Sequence, residues 1–448
     1  MDRCDHAGRA RFERRRTGGE AVVMASATAR LRRSLSVVLV GALTAALLIS
    51  GSPSEGVPPP DDRVPAGVVT GGPDPCLPLP ARARGAGGGR SEVAPGQVTQ
   101  QAKCVKLNEI QVLGSHNSYH IQPQEPIATA LRAFDLPLFE SLEYSHPQLE
   151  VQFSEQGIRQ IELDVFADPE GGRYYQRKGF LAVGMNPDSG IPALLEPGYK
   201  VLHVQDIDFE TTCLTLIDCL EEVRDWSDAN QTHLPIAILI EGKSDPIPDP
   251  LGLGFTVPLP FTTELLDDLD AEILSVFDRD RLITPDDLRG DHASVEAAAL
   301  AGAWPTLGEA RGKVYVLFNN GGSDRQAYLA GRPNLEGRVM FTTSSPGQSD
   351  AAFVQIGDPR GDNLARIQDL VAQGYLVRTR SDVPTIEARS GDTSRRDAAL
   401  ASGAQFVSTD YAWVSPFGSG YQVTIPEGSP GRCNPVNAPE GCRSSLLE

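Results

Sequence analysis

The sequence predicts an α/β fold, a (β/α)8 barrel of the TIM type that forms a single catalytic domain. Short apolar runs of the kind that form buried strands recur eight times between residues 104 and 413, and stretches with helical spacing separate several of them. Strands that alternate with helices favour parallel β-α units, and eight such units fit a barrel. The runs span residues 110–115, 158–166, 200–206, 235–242, 313–319, 352–358, 375–380 and 405–410.

Three segments show the clearest helical pattern. Residues 211–230, 262–277 and 363–374 have apolar side chains at helical spacing, and the last of them stops at Gly374. A doubly wound open sheet is the alternative fold. Such a sheet typically has a glycine-rich phosphate loop after its first strand, and the sequence GSHNSY that follows the first run is not one. The segment 337–345 is an additional strand-like stretch that has no place in this count.

The composition divides the chain into four parts. Residues 1–51 contain a basic flank and an apolar run about as long as a signal-peptide core, so they predict an export signal, with an uncleaved anchor as the alternative. Residues 52–103, rich in Pro, Gly and Ala, are interpreted as a linker. The barrel then occupies 104–413 and a loop-rich tail 414–448. We therefore expect a secreted, extracellular protein.

The charge of the chain limits its partners. The formal net charge is −19, whereas binding to nucleic acid requires a basic face. The predicted signal holds nine arginines against four acidic residues, so the exported part is more acidic still. We expect no nucleic-acid partner, no electrostatic attraction to anionic membranes, and a monomer.

The cysteine count suggests disulfides. Six cysteines follow the predicted signal, and an even number in an exported chain is typical of a disulfide framework. Proximity favours the pairs Cys213–Cys219, Cys433–Cys442 and Cys76–Cys104, although six cysteines allow fifteen connectivities. A metal site is the weaker interpretation, because the chain has no C-x-x-C motif.

Polar residues end four consecutive runs, where the active site of a barrel enzyme lies. His116 and Asn117 end the first, and His203 lies in the third. In the second run, side chains alternate between the two faces of a strand, so Glu162 and Asp164 point to the same side. The fourth run stops at Glu241, the seventh at Arg378 and Arg380, and the eighth at Asp410.

Three carboxylates at one barrel mouth predict a cation. Burying an unpaired carboxylate is costly, and Glu162, Asp164 and Glu241 would repel one another. With the Asn117 carbonyl they form an all-oxygen set, which suits Ca2+ better than zinc.

The alternative for each residue is a structural role. A single histidine such as His116 or His203 is often a hydrogen-bonded structural residue, and the Glu162-x-Asp164 pair could lie on a solvated strand edge. Arg378 and Arg380 could bind an anion or form surface salt bridges. The remaining histidines are interpreted as structural; they are His6, His120, His146, His233 and His292. The occurrence of polar residues at four consecutive strand ends favours a shared site.

The motifs GSHNSY, IELDVF, VLHVQD and ILIEGK, in this order, resemble the catalytic motifs of calcium-dependent phosphoinositide-specific phospholipases C, in a secreted bacterial branch. The similarity covers about residues 104–413. It implies a (β/α)8-type barrel with His116 and His203 as catalytic histidines. It also implies that Asn117, Glu162, Asp164 and Glu241 bind Ca2+.

The resemblance also implies a reaction. The inositol 2-hydroxyl of a phosphatidylinositol lipid attacks phosphorus, and diacylglycerol and a cyclic inositol phosphate form with acid–base help from the histidines. Eukaryotic members have accessory domains and inositol-phosphate-binding lysines that find no match here. Arg378 and Arg380 are candidates for the phosphate or head group in their place.

Two other functions remain open from the sequence. A glycerophosphodiester phosphodiesterase shares the barrel, the Glu-x-Asp pair and a divalent metal, but its first motif normally reads His-Arg-Gly where this chain reads SHNSY. A non-catalytic barrel that binds phospholipid would bind Ca2+ without turnover.

The segment 243–261 suggests a route to the lipid. Its part 251–261 has apolar residues broken by Gly and Pro, and its place after the fourth strand puts it on the rim of the barrel. We expect transient membrane contact through 251–261, with a hairpin packed on the barrel's own helices as the alternative.

Overall fold

A computed structural model of the protein describes residues 95–428 and 430–448. The predicted export signal, most of the predicted linker and Cys76 lie outside the described residues. The signal and the Cys76–Cys104 pair therefore stay predictions.

The central feature is a nearly closed parallel barrel, as predicted. Eight parallel strands follow one another in the order β6, β5, β4, β2, β1, β9, β8 and β7, and an isolated parallel bridge between Thr343 and Phe353 joins the two ends. The strands are β1 Ile110–Ser115, β2 Gln160–Phe166, β3 Lys200–Val201, β4 Ile236–Gly242, β5 Val314–Phe318, β6 Met340–Thr342, β7 Phe353–Gln355, β8 Leu376–Arg380, β9 Phe406–Thr409 and β10 Gly431–Cys433. Two of these, β3 and β10, pair antiparallel at the margins.

The membership of the barrel differs from the prediction. The run 200–206 is not a barrel strand, because only Lys200–Val201 is extended and it pairs antiparallel with the end of β2. The fifth barrel strand in chain order is instead β6, Met340–Thr342, which comes from the segment 337–345 that the prediction had not placed. An apolar run shows that a strand is buried, but it does not show which neighbour the strand pairs with or in which direction.

The helices surround the strands. They are α1 Pro95–Ala102, α2 Ile127–Phe134, α3 Leu136–Ser141, α4 Leu149–Ser154, α5 Leu216–Ala229, α6 Thr263–Val276, α7 Pro285–Arg289, α8 Val295–Leu300, α9 Leu307–Ala310, α10 Gly322–Tyr328, α11 Asp362–Gln373, α12 Ile386–Ser390 and α13 Ser394–Ala401. The three predicted helices are present as α5, α6 and α11. Threonine hydroxyls cap α5 and α6, and Gly374, with φ of 107°, ends α11 in the left-handed conformation. No helix in the part of the chain that the structure describes is long and apolar enough to cross a membrane.

The barrel strands are buried along almost their whole length. Every residue of β1, β2 and β5 is buried, as expected for parallel strands that helices cover on the outer face. β1 approaches β2 most closely at Gly114, where a Cβ atom would lie 2.0 Å from Gln160 Oε1. A side chain at position 114 would therefore displace the Gln160 side chain, whose Oε1 accepts from Ser408 Oγ.

The tail adds to the barrel. β10 pairs with residues 110–112 of β1, and the last residues dock on the core, where Leu446 and Leu447 are buried and Glu448 pairs with Arg159. The predicted disulfides Cys213–Cys219 and Cys433–Cys442 are both formed.

Candidate active site

The carboxyl ends of the strands bring the predicted residues together at one mouth of the barrel. In the pairing of β2 with β4, Asp164 lies directly opposite Glu241. Glu162 and Asp164 project from the same face of β2, and one oxygen of each of the three carboxylates lies within 4.8 Å of the others. The convergence that the sequence predicted is therefore present.

Asn117 is held beside this cluster. The turn after β1 is tied to β2, because the Ser118 amide donates to the Glu162 carbonyl (2.9 Å) and the Glu162 amide donates to Ser118 Oγ (2.8 Å). Asn117 takes a left-handed φ of 44° in this turn. Its side-chain Nδ2 donates to the Tyr144 hydroxyl (3.0 Å), so the amide is held by its nitrogen and its oxygen is left as a possible ligand.

The carboxylates have partners that the sequence analysis did not anticipate. Lys243 Nζ lies 2.9 Å from both Asp164 Oδ2 and Glu241 Oε1, and Arg378 Nη2 donates to Glu162 Oε2 (2.5 Å). Asn319 also donates to Glu241 Oε2 (2.7 Å). Charge repulsion among the carboxylates therefore does not by itself require a metal ion, because the chain supplies two cations of its own.

The cluster nevertheless fits Ca2+. Burial raises the pKa of Asp164 to about 6 even though Lys243 opposes the shift, so the protein leaves this carboxylate short of positive charge. Its Oδ1 is buried and accepts no hydrogen bond from any described residue. Three carboxylates and an amide oxygen are the hard ligands that Ca2+ takes in proteins.

The first predicted histidine lies against an aspartate and an arginine. His116 Nδ1 lies 3.0 Å from Asp410 Oδ1, and Arg380 Nη1 lies 3.1 Å from His116 Nε2. A guanidinium can only donate, so Nε2 accepts and Nδ1 carries the proton. Burial lowers the pKa of His116 to about 3, and the charge of Arg380 lowers it further, whereas Asp410 opposes the shift. His116 is therefore held neutral and in one tautomer.

The second predicted histidine has a carboxylate partner in its own loop. His203 Nδ1 lies 2.6 Å from Asp208 Oδ2, which leaves Nε2 without a partner among the described residues. The Asp208 carboxylate is buried, and His120 and His203 lower its pKa to about 2 against the effect of burial. Each predicted histidine is thus fixed through Nδ1 by a buried aspartate.

Two histidines assigned to structure lie in the same region. His120 Nε2 lies 2.9 Å from Asp208 Oδ2, and His146 Nε2 lies 2.8 Å from the His116 carbonyl oxygen and 3.7 Å from Asp410 Oδ1. Neither follows a barrel strand directly, so the strand-end rule could not find them. The positions of His120 and His146 in the chain do not predict these contacts.

Arg378 and Arg380 both reach the site. Arg378 also donates through Nε to Ser408 Oγ (2.9 Å), and Arg380 Nη2 donates to Asp410 Oδ2 (3.3 Å). Arg378 is buried and the Arg380 side chain is 14% exposed, and both pair with site residues and do not form surface salt bridges.

Residues 105–435 match the family model described as phosphoinositide phospholipase C, Ca2+-dependent. The chain belongs to this family. The predicted enzyme class, phosphoinositide-specific phospholipase C, and the predicted cofactor, Ca2+, are therefore confirmed, and the glycerophosphodiester phosphodiesterase alternative is set aside. No curated protein matches the chain.

The chain is also similar to solved structures of this family. A calcium-dependent phosphoinositol-specific phospholipase C from Pseudomonas sp, in its apo form, is 17% identical with a TM-score of 0.44, covering 74% of this chain and 96% of that one. A Ca2+-dependent phosphatidylinositol-specific phospholipase C from Streptomyces antibioticus is 18% identical with a TM-score of 0.42, covering 69% and 96%.

Proposed function

We propose that the protein cleaves phosphatidylinositol lipids to diacylglycerol and a cyclic inositol phosphate, by attack of the inositol 2-hydroxyl on phosphorus. The observation that carries this proposal is the pairing of two histidines with buried aspartates at the barrel mouth that also holds a three-carboxylate cluster. An intramolecular attack needs one group to take a proton and another to give one, and the arrangement supplies both.

Asn117, Glu162, Asp164 and Glu241 are the proposed Ca2+ ligands. When bound there, Ca2+ would neutralise charge on the lipid phosphate and lower the pKa of the 2-hydroxyl. The chain's own part is to hold these four oxygen ligands on two adjacent strands and one turn, and the ion would have to displace the Lys243 ammonium that bridges two of them.

His116 and His203 are the proposed proton-transfer groups. The carboxylate on each Nδ1 fixes the ring and directs Nε2 to the substrate, as in other histidine–aspartate pairs. Arg380 occupies the Nε2 side of His116, where a lipid phosphate would be a stronger acceptor for its guanidinium. Arg378 and Arg380 are therefore proposed to contribute positive charge near the phosphate.

Product analysis tests this proposal. Phosphatidylinositol and glycerophosphoinositol are each incubated with the protein, with and without Ca2+. We expect phosphatidylinositol to yield diacylglycerol and cyclic inositol phosphate only with Ca2+. Release of glycerol 3-phosphate and inositol from glycerophosphoinositol would instead indicate cleavage on the other side of the phosphorus and contradict the proposal.

Lys243 is expected to compete with Ca2+. Its ammonium bridges two of the proposed ligands, and a unit charge at such a distance is worth roughly 1–4 kcal/mol. Lys243→Met should tighten Ca2+ binding by about tenfold or more, measured by calorimetry. The Lys243→Met change should also lower the melting temperature without Ca2+, because the carboxylates lose their partner.

Lys313→Met, at the opposite end of the barrel before β5, is the control. Unchanged or weaker Ca2+ binding in Lys243→Met would mean that the ammonium and the ion do not share the same oxygens.

We also propose that the protein is exported. Two disulfides are typical of a protein that works in an oxidising compartment, which supports the predicted secretion of the enzyme.

The rim segment 251–261 has one end packed on the core and other apolar residues exposed to solvent. Phe261 is buried and stacks on Tyr199, and Leu259 packs partly against the core. Leu251 and Val257, by contrast, are 43% and 59% exposed. The exposed side chains Leu181, Met185 and Leu195 lie in the segment between β2 and β3, and Trp413 and Val414 follow β9 on the same mouth of the barrel. We infer that Leu251 and Val257 belong to an apolar rim that inserts into the lipid surface.

A double change of Leu251 and Val257 to Ser tests this inference. Burying one such side chain is worth about 1.5–3 kcal/mol, so losing two should greatly reduce activity on phosphatidylinositol vesicles. Activity on a short-chain soluble analogue should stay normal. Leu274→Ser, at a position 45% exposed on α6, is the matched control. An equal loss on both substrates, with a lower melting temperature, would place the segment in the barrel's own packing.

A further inference from the structure

A second cluster of potential metal ligands lies beside the proposed Ca2+ ligands. His120, His203 and Asp208 each present one ligand atom, and these atoms lie within 4.8 Å of one another. Asp208 Oδ2 is approached from two sides, by His203 Nδ1 at 2.6 Å and by His120 Nε2 at 2.9 Å. The side chains of His120 and Asp208 are fully buried, and that of His203 is 13% exposed, so the cluster opens only past His203.

The hydrogen bonds of His120 require a cation. Its Nδ1 lies 3.1 Å from the Tyr144 carbonyl oxygen, which can only accept, so Nδ1 carries a proton. A neutral imidazole has one N–H, and this one is already used. The contact between Nε2 and the Asp208 carboxylate therefore needs a positive charge on or next to Nε2, supplied either by a second proton or by a metal ion.

Two features of the cluster are typical of a metal site. A ligating histidine usually donates its other N–H to a carbonyl or carboxylate, as His120 does to Tyr144. In addition, Asp208 Oδ1 is buried and has no hydrogen-bond partner among the described residues. A carboxylate that receives two imidazoles on one oxygen and nothing on the other has an unused position for an ion.

The ligand types separate this cluster from its neighbour. Two imidazole nitrogens and one carboxylate suit zinc and similar borderline ions, whereas three carboxylates and an amide oxygen suit Ca2+. We propose that His120, His203 and Asp208 form a second metal site, for a borderline divalent ion such as Zn2+, with its fourth position open towards the barrel mouth.

Occupancy of this site would affect His203. The ion takes the Nδ1 lone pair of His203 and replaces the hydrogen bond from that nitrogen to Asp208. Zn2+ is then expected to inhibit the enzyme, and excess Ca2+ is not expected to relieve the inhibition, because the two ions use different ligands. This consequence rests on the proposed role of His203, whereas the binding itself does not.

Calorimetry with Zn2+, in the presence of saturating Ca2+, tests the binding. We expect one Zn2+ per chain in the unchanged protein and in His292→Gln, which removes an exposed histidine. His120→Gln should weaken the binding by at least about tenfold, because losing a ligand costs no less than losing an outer-shell partner. Visible absorption of the Co2+-loaded protein, which reports nitrogen ligation in a four-coordinate site, provides a second measurement that needs no variant.

The outcomes separate this proposal from the proposed function. Absence of Zn2+ binding under saturating Ca2+, or equal binding in His120→Gln and the unchanged protein, would overturn the second site and leave a proton as the cation of His120. Zn2+ binding that depends on His120 but leaves phosphatidylinositol cleavage intact would support the site and contradict a catalytic role for His203.

Discussion

Excess chelator is expected to bring hydrolysis of phosphatidylinositol below detection, and added Ca2+ to restore it. The reason lies in the buried cluster of Glu162, Asp164 and Glu241, whose partners Lys243 and Arg378 hold the carboxylates but cannot bring a phosphate and a hydroxyl together. Among single changes, Asp164→Asn should have the clearest effect, because Oδ1 of this residue has no other partner in the described structure. It should weaken Ca2+ binding at least tenfold and lower turnover with it, as measured by calorimetry and product release.

The matching changes Glu162→Gln and Glu241→Gln should act in the same direction. Asp268→Asn, an exposed carboxylate on α6, controls for the loss of one negative charge. Full activity in excess chelator, or unaltered Ca2+ affinity in all three site variants, would show that these carboxylates serve the ion pairs alone.

Alanine at His116 or His203 is expected to lower turnover by roughly 10²–10⁴-fold, the usual contribution of a positioned proton-transfer group. Ca2+ affinity should change little, because neither ring is among the proposed Ca2+ ligands. Single-turnover measurements on a soluble analogue would isolate the chemical step from lipid binding.

His292→Ala, on the surface, is the control for these two variants. Asp410→Asn and Asp208→Asn should also lower turnover, since each removes the carboxylate that orients a ring and fixes its tautomer. A near-normal rate in either alanine variant would mean that its histidine has a structural role.

The sequence by itself determined the fold class and the residues at the strand ends. Parallel strands that are covered by helices have short apolar sequences, and the carboxyl ends of such strands meet at one mouth of the barrel. This rule predicts that His116, Glu162, Asp164 and Glu241 lie together. His203 was also found, although the segment that carries it is a loop beside β2 and not the third barrel strand. The strand-end pattern and the motif VLHVQD had both pointed to it.

Only the tertiary structure decided which charges meet. Lys243 follows Glu241 by two residues, yet its contact with Asp164 depends on the register of β2 against β4. Arg378 lies on β8 and donates to Glu162 on β2, although the two residues are 216 positions apart in the chain. Local spacing fixes the face of a strand on which a side chain lies, but a partner from another element is set by the closure of the barrel. For that reason the sequence indicated a cation at the carboxylates and did not reveal that the chain already provides two.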